Sequence, residues 1–353
     1  MKLFSPFRLR ELEFKNRIGV SPMCEYSAVD GHPQTWHLVH LGSRAIGGAA
    51  LVMTEATGVQ DIGRISPADT GIYLDAHVAS WKPIAEFIQQ HGAVAGMQLA
   101  HAGRKGSTAA PWLGGGGIAQ KDGGWIPVAP TAKAFDANYI VPRELSVAEI
   151  DQVVADFAAA AQRALAAGFE LVELHAAHGY LLHEFLSPFC NERTDEYGGS
   201  LESRMRLTLR VAHAIREIWP QKWPVLVRIS ATDWKEGGWD LVQSIELCKS
   251  LQAVGVDLID VSSGGAIPGV KIPTGPGYQT GFSQAIRNEA RIATATVGMI
   301  TGPVQSETIL NTEQADMVFL ARELLRDPYW PRRAAEALKV KIKAPVQYER
   351  AWY

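Results

Sequence analysis

The sequence predicts an α/β fold, a (β/α)8 TIM barrel formed by a single domain over residues 1–353. The chain is long enough for such a barrel, which takes ~250 residues and more than 400 when it carries insertions. Eight short runs rich in Val, Ile, Leu and Ala are separated by amphipathic stretches of helical length. Runs that are apolar throughout are typical of parallel strands buried on both faces. Eight strand–helix units therefore favour one closed barrel over two domains.

The predicted elements begin with a short hairpin. Phe7, Leu9, Leu12 and Phe14 flank a turn around Glu11, and we expect this hairpin to plug the bottom of the barrel. The eight strands are predicted within residues 18–23, 49–56, 93–99, 171–175, 224–230, 258–263, 294–298 and 317–321. The predicted helices fall near residues 77–90, 146–168, 201–218, 240–253 and 303–312.

The predicted helix at 146–168 has clear signals at both ends. Ser146 is the expected N-cap, Glu149 completes a capping box, and Gly168 marks the C-terminal stop. The widest gap between strands follows the third strand and includes a run of four glycines. We expect residues 100–145 to form an excursion that caps the mouth of the barrel, although a simple surface loop is the alternative.

Composition excludes several classes of protein. Hydrophobic residues make up 47% and charged residues 20%, which is ordinary for a globular protein and excludes a disordered or fibrous one. The net charge of −3 leaves no basic excess for nucleic acid. The N-terminus shows no secretory signal and no run is long enough to span a membrane, so we expect a cytoplasmic protein. Three scattered cysteines, Cys24, Cys190 and Cys248, argue against a disulfide framework, a zinc site or an iron–sulfur cluster.

Polar residues follow the predicted strands where a barrel carries its active site, at the carboxyl ends. They include Tyr26, Gln98, His175 with His178, and Arg228. Buried side chains of these types are costly unless a partner satisfies them, so their convergence predicts a polar ligand. After the seventh and eighth strands come Gly298–Met299 and Ala321–Arg322, where barrels commonly bind phosphate. A phosphorylated cofactor is the favoured ligand.

Several long motifs, ordered along the barrel, resemble the Old Yellow Enzyme family of FMN-dependent ene-reductases. They are residues 21–26 (SPMCEY), 98–105 (QLAHAGRK), 173–180 (ELHAAHGY), 193–201 (RTDEYGGSL) and 322–328 (RELLRDP). The Cys24-x-Tyr26 pattern and the closing residues 347–352 (QYERAW) are similar to the bacterial branch of YqjM-like and xenobiotic-reductase-like enzymes. Two departures are small: Glu25 stands where Gln is common, and Ala321 where Gly usually precedes the phosphate-binding Arg.

The resemblance implies that FMN binds at the barrel mouth. NADPH or NADH would reduce it, and the reduced flavin would then transfer hydride to an activated C=C bond. Arg228 would stabilise the negative charge of reduced flavin, and Gln98 would donate to and accept from its pyrimidine edge. The implied cofactor-binding residues are Ser21, Pro22, Met23, Cys24, Ala56, Gln98, Arg228, Gly298, Met299, Ala321 and Arg322. Lys105 resembles a family position near the flavin or its phosphate.

Three side chains are the candidate catalytic residues. Paired imidazoles at His175 and His178 would hydrogen-bond a carbonyl or nitro oxygen and stabilise an enolate-like transition state. Tyr180 is the candidate acid for the α-carbon, with a packing role as its alternative. Cys24 has three interpretations: inert core, nucleophile, or a sulfur that tunes the flavin potential, which the family pattern favours.

Two further residues are expected to touch substrate. Tyr26 would line the mouth, and the family pattern implies that Arg350 reaches a neighbouring subunit's site, in a homodimer or homotetramer. The alternative for Arg350 is a solvated charge at a loose terminus. Tyr348, Trp352 and Tyr353 favour a tail, residues 344–353, that docks on protein.

Competing functions differ in class. A metal-dependent barrel hydrolase or lyase would use the His175 and His178 pair, but no third ligand lies nearby in sequence. A dienoyl-CoA or amine-oxidising flavin enzyme would be longer and carry a cysteine cluster. A non-enzymatic scaffold barrel would not need polar groups at so many strand ends.

Overall fold

Parallel strands close into a barrel in the computed structural model, which describes residues 1–352. The strands, numbered in chain order, are β1 (Phe7–Leu9), β2 (Leu12–Phe14), β3 (Ile18–Val20), β4 (Leu51–Gly58), β5 (Val94–Ala100), β6 (Val128–Ala129), β7 (Arg143–Glu144), β8 (Leu171–Ala176), β9 (Val225–Ser230), β10 (Leu258–Ser262), β11 (Ala293–Thr296) and β12 (Met317–Leu320). Around the barrel the order is β3-β4-β5-β8-β9-β10-β11-β12, and β12 returns to β3. The predicted barrel fold is confirmed, with each of its strands inside or within two residues of a predicted run.

Helices surround the barrel. They are α1 (Thr35–Ile46), α2 (Ala76–Gln90), α3 (Val147–Ala166), α4 (Leu181–Leu186), α5 (Leu201–Ile218), α6 (Leu241–Ala253), α7 (Thr280–Glu289), α8 (Pro303–Asn311), α9 (Arg322–Arg326) and α10 (Trp330–Ala337). The five predicted helices correspond to α2, α3, α5, α6 and α8. None of the helices in residues 1–352 combines the length and apolarity needed to cross a membrane.

Helix α1 was not predicted because it lacks the usual N-cap chemistry. Gln34 precedes the helix, and its backbone N–H donates to Nδ1 of the His37 ring at 2.9 Å. An imidazole thus takes the place that a Glu or Gln side chain holds in the common capping box.

The bottom of the barrel is filled by the N-terminal hairpin, as predicted. Leu9 of β1 and Phe14 of β2 are buried against the first inward-facing residues of the strands, among them Leu51, Leu171 and Phe319. Apolar contact with the strand starts closes this end to water. The site must therefore lie at the opposite end.

Closure between the first and last barrel strands depends on a glycine. Val318 pairs with Ile18, Phe319 with Gly19 and Leu320 with Val20. A Cβ at Gly19 would lie 2.5 Å from the Phe319 ring, so only glycine lets this aromatic side chain fill the barrel beside β3.

Between β5 and β8 the chain passes over the mouth. It carries short 3-10 turns at Gly103–Lys105, Pro111–Leu113 and Gln120–Asp122, and the β6–β7 pair. In the second turn, Trp112 packs edge-on against the ring of Tyr26, with centroids 5.4 Å apart. The excursion predicted at residues 100–145 therefore contacts a residue that we expect to line the mouth.

The C-terminal tail turns back along α10. The rings of Tyr348 and Trp352 lie 6.4 Å and 6.3 Å from the ring of Tyr329, and Arg332 donates to the carbonyl oxygen of Ala351 at 3.2 Å. Tyr353, the third aromatic of the predicted tail, lies outside the described residues.

Helix α3 offers a test of the sequence signals. The Ser146 N–H donates to Glu149 Oε2 at 2.9 Å and the Glu149 N–H donates to Ser146 Oγ at 3.3 Å, which confirms the capping box. Ser146→Ala should lower the free energy of unfolding by about 1 kcal/mol and the Tm by about 1–2 °C, because a backbone donor loses its acceptor. Thermal unfolding of the FMN-free protein measures this shift.

The matched control is Ser250→Ala in the interior of α6. The Ser250 hydroxyl donates to the Glu246 carbonyl within the helix, and alanine has the higher helix propensity. We expect no loss of stability there. Equal Tm values for the two variants would show that the capping box contributes nothing measurable.

Candidate active site

Strand register assembles a polar layer inside the barrel. Ala56 on β4 pairs with Gln98 on β5, and Gln98 pairs with Glu173 on β8. On β9, Arg228 pairs with His175 on one side and with Asp260 of β10 on the other. Side chains scattered over 200 residues of sequence are therefore brought to one level near the carboxyl ends of the strands.

The guanidinium of Arg228 is the cation of this layer. It is 6% exposed, and its Nε lies 3.0 Å from Oδ2 of Asp260 without the alignment of a hydrogen bond. Gln98 donates through Nε2 to Oε1 of Glu173 at 2.8 Å, which leaves its own amide oxygen to accept. A buried cation beside an amide suits a ligand edge that carries both carbonyl and N–H groups.

Two carboxyl groups share that one cation. Glu173 and Asp260 are fully buried, and the structure gives no hydrogen-bond partner to Glu173 Oε2 or to either oxygen of Asp260. Burial, reinforced by repulsion from Asp260, raises the pKa of Glu173 to about 8. Burial also raises the pKa of Asp260, against the attraction of Arg228.

The segment after β3 carries the predicted residues Ser21, Pro22, Met23 and Cys24 across the mouth. The Ser21 N–H donates to the Leu320 carbonyl at 3.0 Å, which joins this segment to the end of the last strand. The hydroxyl of Ser21 is buried without a partner. Met23 packs on the main core. The segment is therefore anchored to the last strand and to the core, and it carries one buried hydroxyl without a partner.

Glu55 holds this segment in place. Its Oε2 accepts the Glu25 N–H at 2.9 Å, and its Oε1 lies 2.8 Å from Nε2 of His37 on α1. The adjacent Ala56 is 6% exposed in a small apolar cluster that Cys24, Tyr26 and Tyr180 border. The cluster thus brings together four residues that the sequence analysis selected.

Cys24 remains a thiol at neutral pH. Burial raises its pKa well above the usual value, and the carboxyl groups of Asp69 and Glu55 add to this effect. A thiolate is the nucleophilic form of cysteine, so these surroundings oppose the nucleophile interpretation. The role in tuning the flavin stays a prediction.

The imidazoles of His175 and His178 lie together at the mouth, with ring centroids 5.2 Å apart. Burial, helped by the charge of Arg228, lowers both pKa values well below 6.5, so both rings are neutral at pH 7. Nδ1 of His175 accepts the Ala177 N–H at 3.3 Å, which assigns the ring proton to Nε2. Nε2 of His178 lies 2.7 Å from Oγ of Ser262, and this contact fixes the ring orientation.

The turn that carries His178 has an unusual backbone. His178 and Gly179 both have left-handed conformations, with φ of 60° and 71°. A Cβ at Gly179 would lie 2.3 Å from the Gly265 carbonyl oxygen, so glycine is required at this point. Ser230 Oγ accepts the His178 N–H at 2.9 Å, and His183 Nδ1 accepts the Gly179 N–H at 2.9 Å.

Lys105 also holds this turn. Its ammonium donates to the His178 carbonyl at 2.8 Å and to the Gly265 carbonyl, which joins the segments after β8 and β10. The ammonium also lies 4.1 Å from the centroid of the Phe135 ring. These contacts hold the histidine turn, and the position of Lys105 near the flavin or its phosphate stays a prediction.

Tyr180 follows the turn directly. Its ring centroid lies 4.9 Å from that of His175, at the start of α4. Burial raises its pKa well above 10, so the phenol is protonated at any working pH. A protonated hydroxyl beside two imidazole donors is suited to deliver a proton to a bound substrate.

The last two barrel strands end in backbone suited to an anion. Gly298 has a φ of 122°, and a Cβ there would lie 2.8 Å from the Gln279 and Tyr278 side chains. Met299 has a φ of 50° and is exposed. Arg322, which opens α9 directly after Ala321, is also exposed. Two strand ends and one guanidinium thus meet at the predicted phosphate position.

The donor set fits FMN. A flavin has a flat ring with carbonyl and N–H groups at one edge and a phosphate at the other end. Arg228 and Gln98 would supply the groups for that edge, and the unpartnered Ser21 hydroxyl would add a further donor. Gly298 and Arg322 follow β11 and β12, the strand ends where barrels commonly bind phosphate.

Arg350 lies apart from this cluster in the chain that carries it. It belongs to the exposed turn Glu349–Ala351, in the tail packed along α10. No contact joins it to His175, His178 or Tyr180 within residues 1–352. The predicted contribution across a subunit interface stays a prediction.

Sequence reasoning gave no role to Glu173, Asp260 or Ser262, although Glu173 opens one of the family motifs and Ser262 lies near the end of a predicted strand. A polar residue inside an apolar run was the available signal. No group of three His, Cys, Asp or Glu side chains suited to a metal ion occurs within the described residues.

Comparisons with known proteins support the flavin interpretation. The model of the NADH:flavin oxidoreductase / NADH oxidase family matches residues 2–341. The chain is 46% identical over 353 residues to an NADPH dehydrogenase of Bacillus licheniformis, covering 99% of each chain. It is 47% identical over 352 residues to an NADPH dehydrogenase of Geobacillus sp. strain WCH70, covering 99% of this chain and 98% of that one.

Solved structures agree. Morphinone reductase superposes with a TM-score of 0.81 at 28% identity, covering 97% of this chain and 91% of that chain. A histamine dehydrogenase from Rhizobium sp. 4-9 has a TM-score of 0.82 at 27% identity, but this chain covers only 48% of it. The amine-oxidising enzyme is therefore much longer than this chain, whereas morphinone reductase has a similar length. The chain belongs to the NADH:flavin oxidoreductase / NADH oxidase family and is an FMN-dependent oxidoreductase of the Old Yellow Enzyme type, with a reduced nicotinamide nucleotide as its electron donor.

Proposed function

We propose that the enzyme reduces activated C=C bonds in enones, enals and maleimides, and also nitro compounds, at the expense of NADPH. When bound at the mouth, FMN would supply the hydride chemistry between NADPH and the β-carbon of the substrate. The observation that carries the proposal is the group formed by His175, His178 and Tyr180 beside the buried Arg228. Each of these residues supports a different part of the reaction.

The two imidazoles bind and polarise the substrate oxygen. Because both rings are neutral and desolvated, neither brings a full charge into the mouth. His175 offers its Nε2–H, and His178 offers its Nδ1–H in the tautomer whose Nε2 accepts from the Ser262 hydroxyl. Hydrogen bonds to a carbonyl or nitro oxygen strengthen as negative charge develops there, which stabilises the transition state more than the ground state. The β-carbon becomes electrophilic as a result.

Tyr180 completes the addition. The C=C bond gains hydride at the β-carbon and a proton at the α-carbon, so one acid is needed. The phenol is protonated and lies beside His175. After transfer, proton exchange with solvent at the partly exposed ring restores it.

We infer that nicotinamide and substrate use the same mouth in turn, a ping-pong scheme. The sequence contains no G-x-G-x-x-G fingerprint for a separate dinucleotide site. The excursion that places Trp112 against Tyr26 leaves these rings to line the shared entrance.

We also propose a homodimer or homotetramer in which Arg350 enters a neighbouring subunit's mouth. Exposed aromatic side chains support an interface: Trp36 on α1 is 55% exposed and Tyr348 in the tail is 41% exposed. Helix α1 and the segment after β12 are joined, since Arg44 donates to the Leu324 carbonyl at 2.9 Å. An exposed apolar surface beside the tail is typical of a protein interface.

The first test concerns the cofactor and electron flow. The purified protein should take up FMN and turn yellow, lose the flavin colour anaerobically with NADPH, and regain it when cyclohexenone is added. Visible spectroscopy follows all three steps. A protein that binds no FMN would refute the proposal, as would reduced enzyme that keeps its electrons in the presence of cyclohexenone.

The second test concerns the imidazoles. His178→Ala should keep its FMN but lower kcat/KM for cyclohexenone by about 100- to 1000-fold, the usual effect of removing one donor to a developing oxyanion. His213→Ala, on the exposed face of α5, is the matched control and should behave as wild type. Unchanged enone turnover in His178→Ala would remove this residue from the mechanism.

The third test concerns the tail. Arg350→Ala should raise KM for the enone about tenfold, since a charge-assisted hydrogen bond contributes ~1.5–3 kcal/mol. Deletion of residues 348–353 should weaken assembly as well, measured by light scattering. Arg291→Ala, an exposed arginine after α7, is the control. A truncated enzyme with full activity and unchanged mass would show that the tail is only a solvated terminus.

A further inference from the structure

The barrel interior holds an unusual charge arrangement under the flavin position. Glu173 and Asp260, together called the acid pair, are both 0% exposed, and Arg228 is the single cation beside them. Strand register fixes all three, because Arg228 pairs with Asp260 directly and with His175, two residues beyond Glu173 on β8. Two acids and one base cannot all be ionised here without leaving a net buried charge.

The two carboxyl groups of the acid pair have different contacts. Asp260 Oδ2 lies 3.0 Å from Nε of Arg228, so its negative charge is the one that the guanidinium compensates. Glu173 receives one hydrogen bond, from Gln98 to Oε1, and its Oε2 has no partner. An ionised carboxylate needs several donors when it is buried, whereas a protonated carboxyl does not. The geometry therefore favours a neutral Glu173.

The surrounding groups agree with this division. Three groups face Glu173: Gln98 from β5, Arg228 from β9 and Asp260 from β10. His175 lies on β8 like Glu173, and it is neutral because burial lowers its pKa. Burial and Asp260 raise the pKa of Glu173 to about 8, although Arg228 and the Gln98 hydrogen bond act in the opposite direction. With Glu173 protonated the cluster has no net charge, and with Glu173 ionised it carries −1.

We propose that Glu173 is a proton-holding positioning residue that keeps the charge of Arg228 available to the flavin and takes up a proton when the flavin above it is reduced. The inference rests on FMN binding at this mouth. Reduction delivers two electrons and one proton to the flavin as hydride and leaves negative charge on the edge that faces Arg228. Where Glu173 is ionised, that added charge draws one further proton from solvent onto its carboxylate, and no other bond changes.

The proposal predicts a change in proton stoichiometry with pH. Below the pKa of Glu173 the carboxyl is already protonated, so reduction takes up one proton per two electrons. Above that pKa the oxidised enzyme has lost the Glu173 proton and reduction restores it, so two protons are taken up. In Glu173→Gln the value should stay at one throughout, because the amide cannot titrate.

The test combines two measurements. Redox titration of the FMN-loaded wild type from about pH 6 to about pH 10, followed in the visible spectrum, gives protons per two electrons. Infrared spectroscopy of the FMN-free protein at neutral pH reports protonated carboxyl groups directly, and one such band should be absent from Glu173→Gln. A wild type that takes up one proton at every pH would overturn the proposal, as would an infrared spectrum unchanged by Glu173→Gln.

Glu184→Gln is the matched control. Glu184 on α4 is also fully buried with a pKa raised to about 8 by burial, but its Oε1 accepts the Arg104 N–H at 2.8 Å, outside the barrel. Its variant should lose a different infrared band and keep the two-proton behaviour at high pH. The infrared measurement needs no flavin, so failure of FMN binding and failure of the Glu173 proposal give separate results. The wild-type titration stands even if Glu173→Gln does not fold.

Discussion

Pairing between the first and last barrel strands is the constraint on which the site depends. The β3–β12 contact closes the ring and ties the Ser21 N–H to the Leu320 carbonyl, so that Ser21–Cys24 and Ala321–Arg322 meet although 300 residues separate them in sequence. Without closure, the two segments predicted to bind the flavin ring and its phosphate would not meet at one mouth. The close approach of the Phe319 ring to Gly19 is part of this closure, because a Cβ at Gly19 would lie 2.5 Å from the ring.

Closure also creates the dry interior in which a few charges become decisive. The protein carries 34 Lys and Arg residues, yet one buried guanidinium sets the field beneath the mouth. The attraction of this guanidinium for a negatively charged ligand depends on how many of the neighbouring acids are ionised, since opposite charges in a low dielectric cancel strongly. The same burial keeps His175, His178 and Tyr180 in their neutral forms. Desolvation thus sets the charge states on which the proposed roles of Arg228, the two histidines and Tyr180 depend.

Much of the fold could be predicted from the sequence. Buried parallel strands leave continuous apolar runs, and the motifs at their ends contain residues that the structure brings together, such as Cys24, Tyr26 and Tyr180. Helix α1 was not predicted, because His37 replaces the usual Glu or Gln side chain in its capping box. The acid pair was not predicted, because only the strand register brings Glu173 and Asp260 together beside Arg228. The contacts of the Lys105 ammonium with the carbonyls of His178 and Gly265 were not predicted, because sequence spacing cannot reveal a contact between loops.

In the proposed reaction, hydride would pass from NADPH by way of FMN to the β-carbon while a proton held by the protein reaches the α-carbon. The most direct measurement is reduction of cyclohexenone by the FMN-loaded enzyme in ordinary water, using NADPH that carries deuterium at its transferable position. We expect a saturated ketone with deuterium at the β-carbon and ordinary hydrogen at the α-carbon, read by mass spectrometry and NMR. Deuterium at the α-carbon, or a saturated product without deuterium, would contradict it.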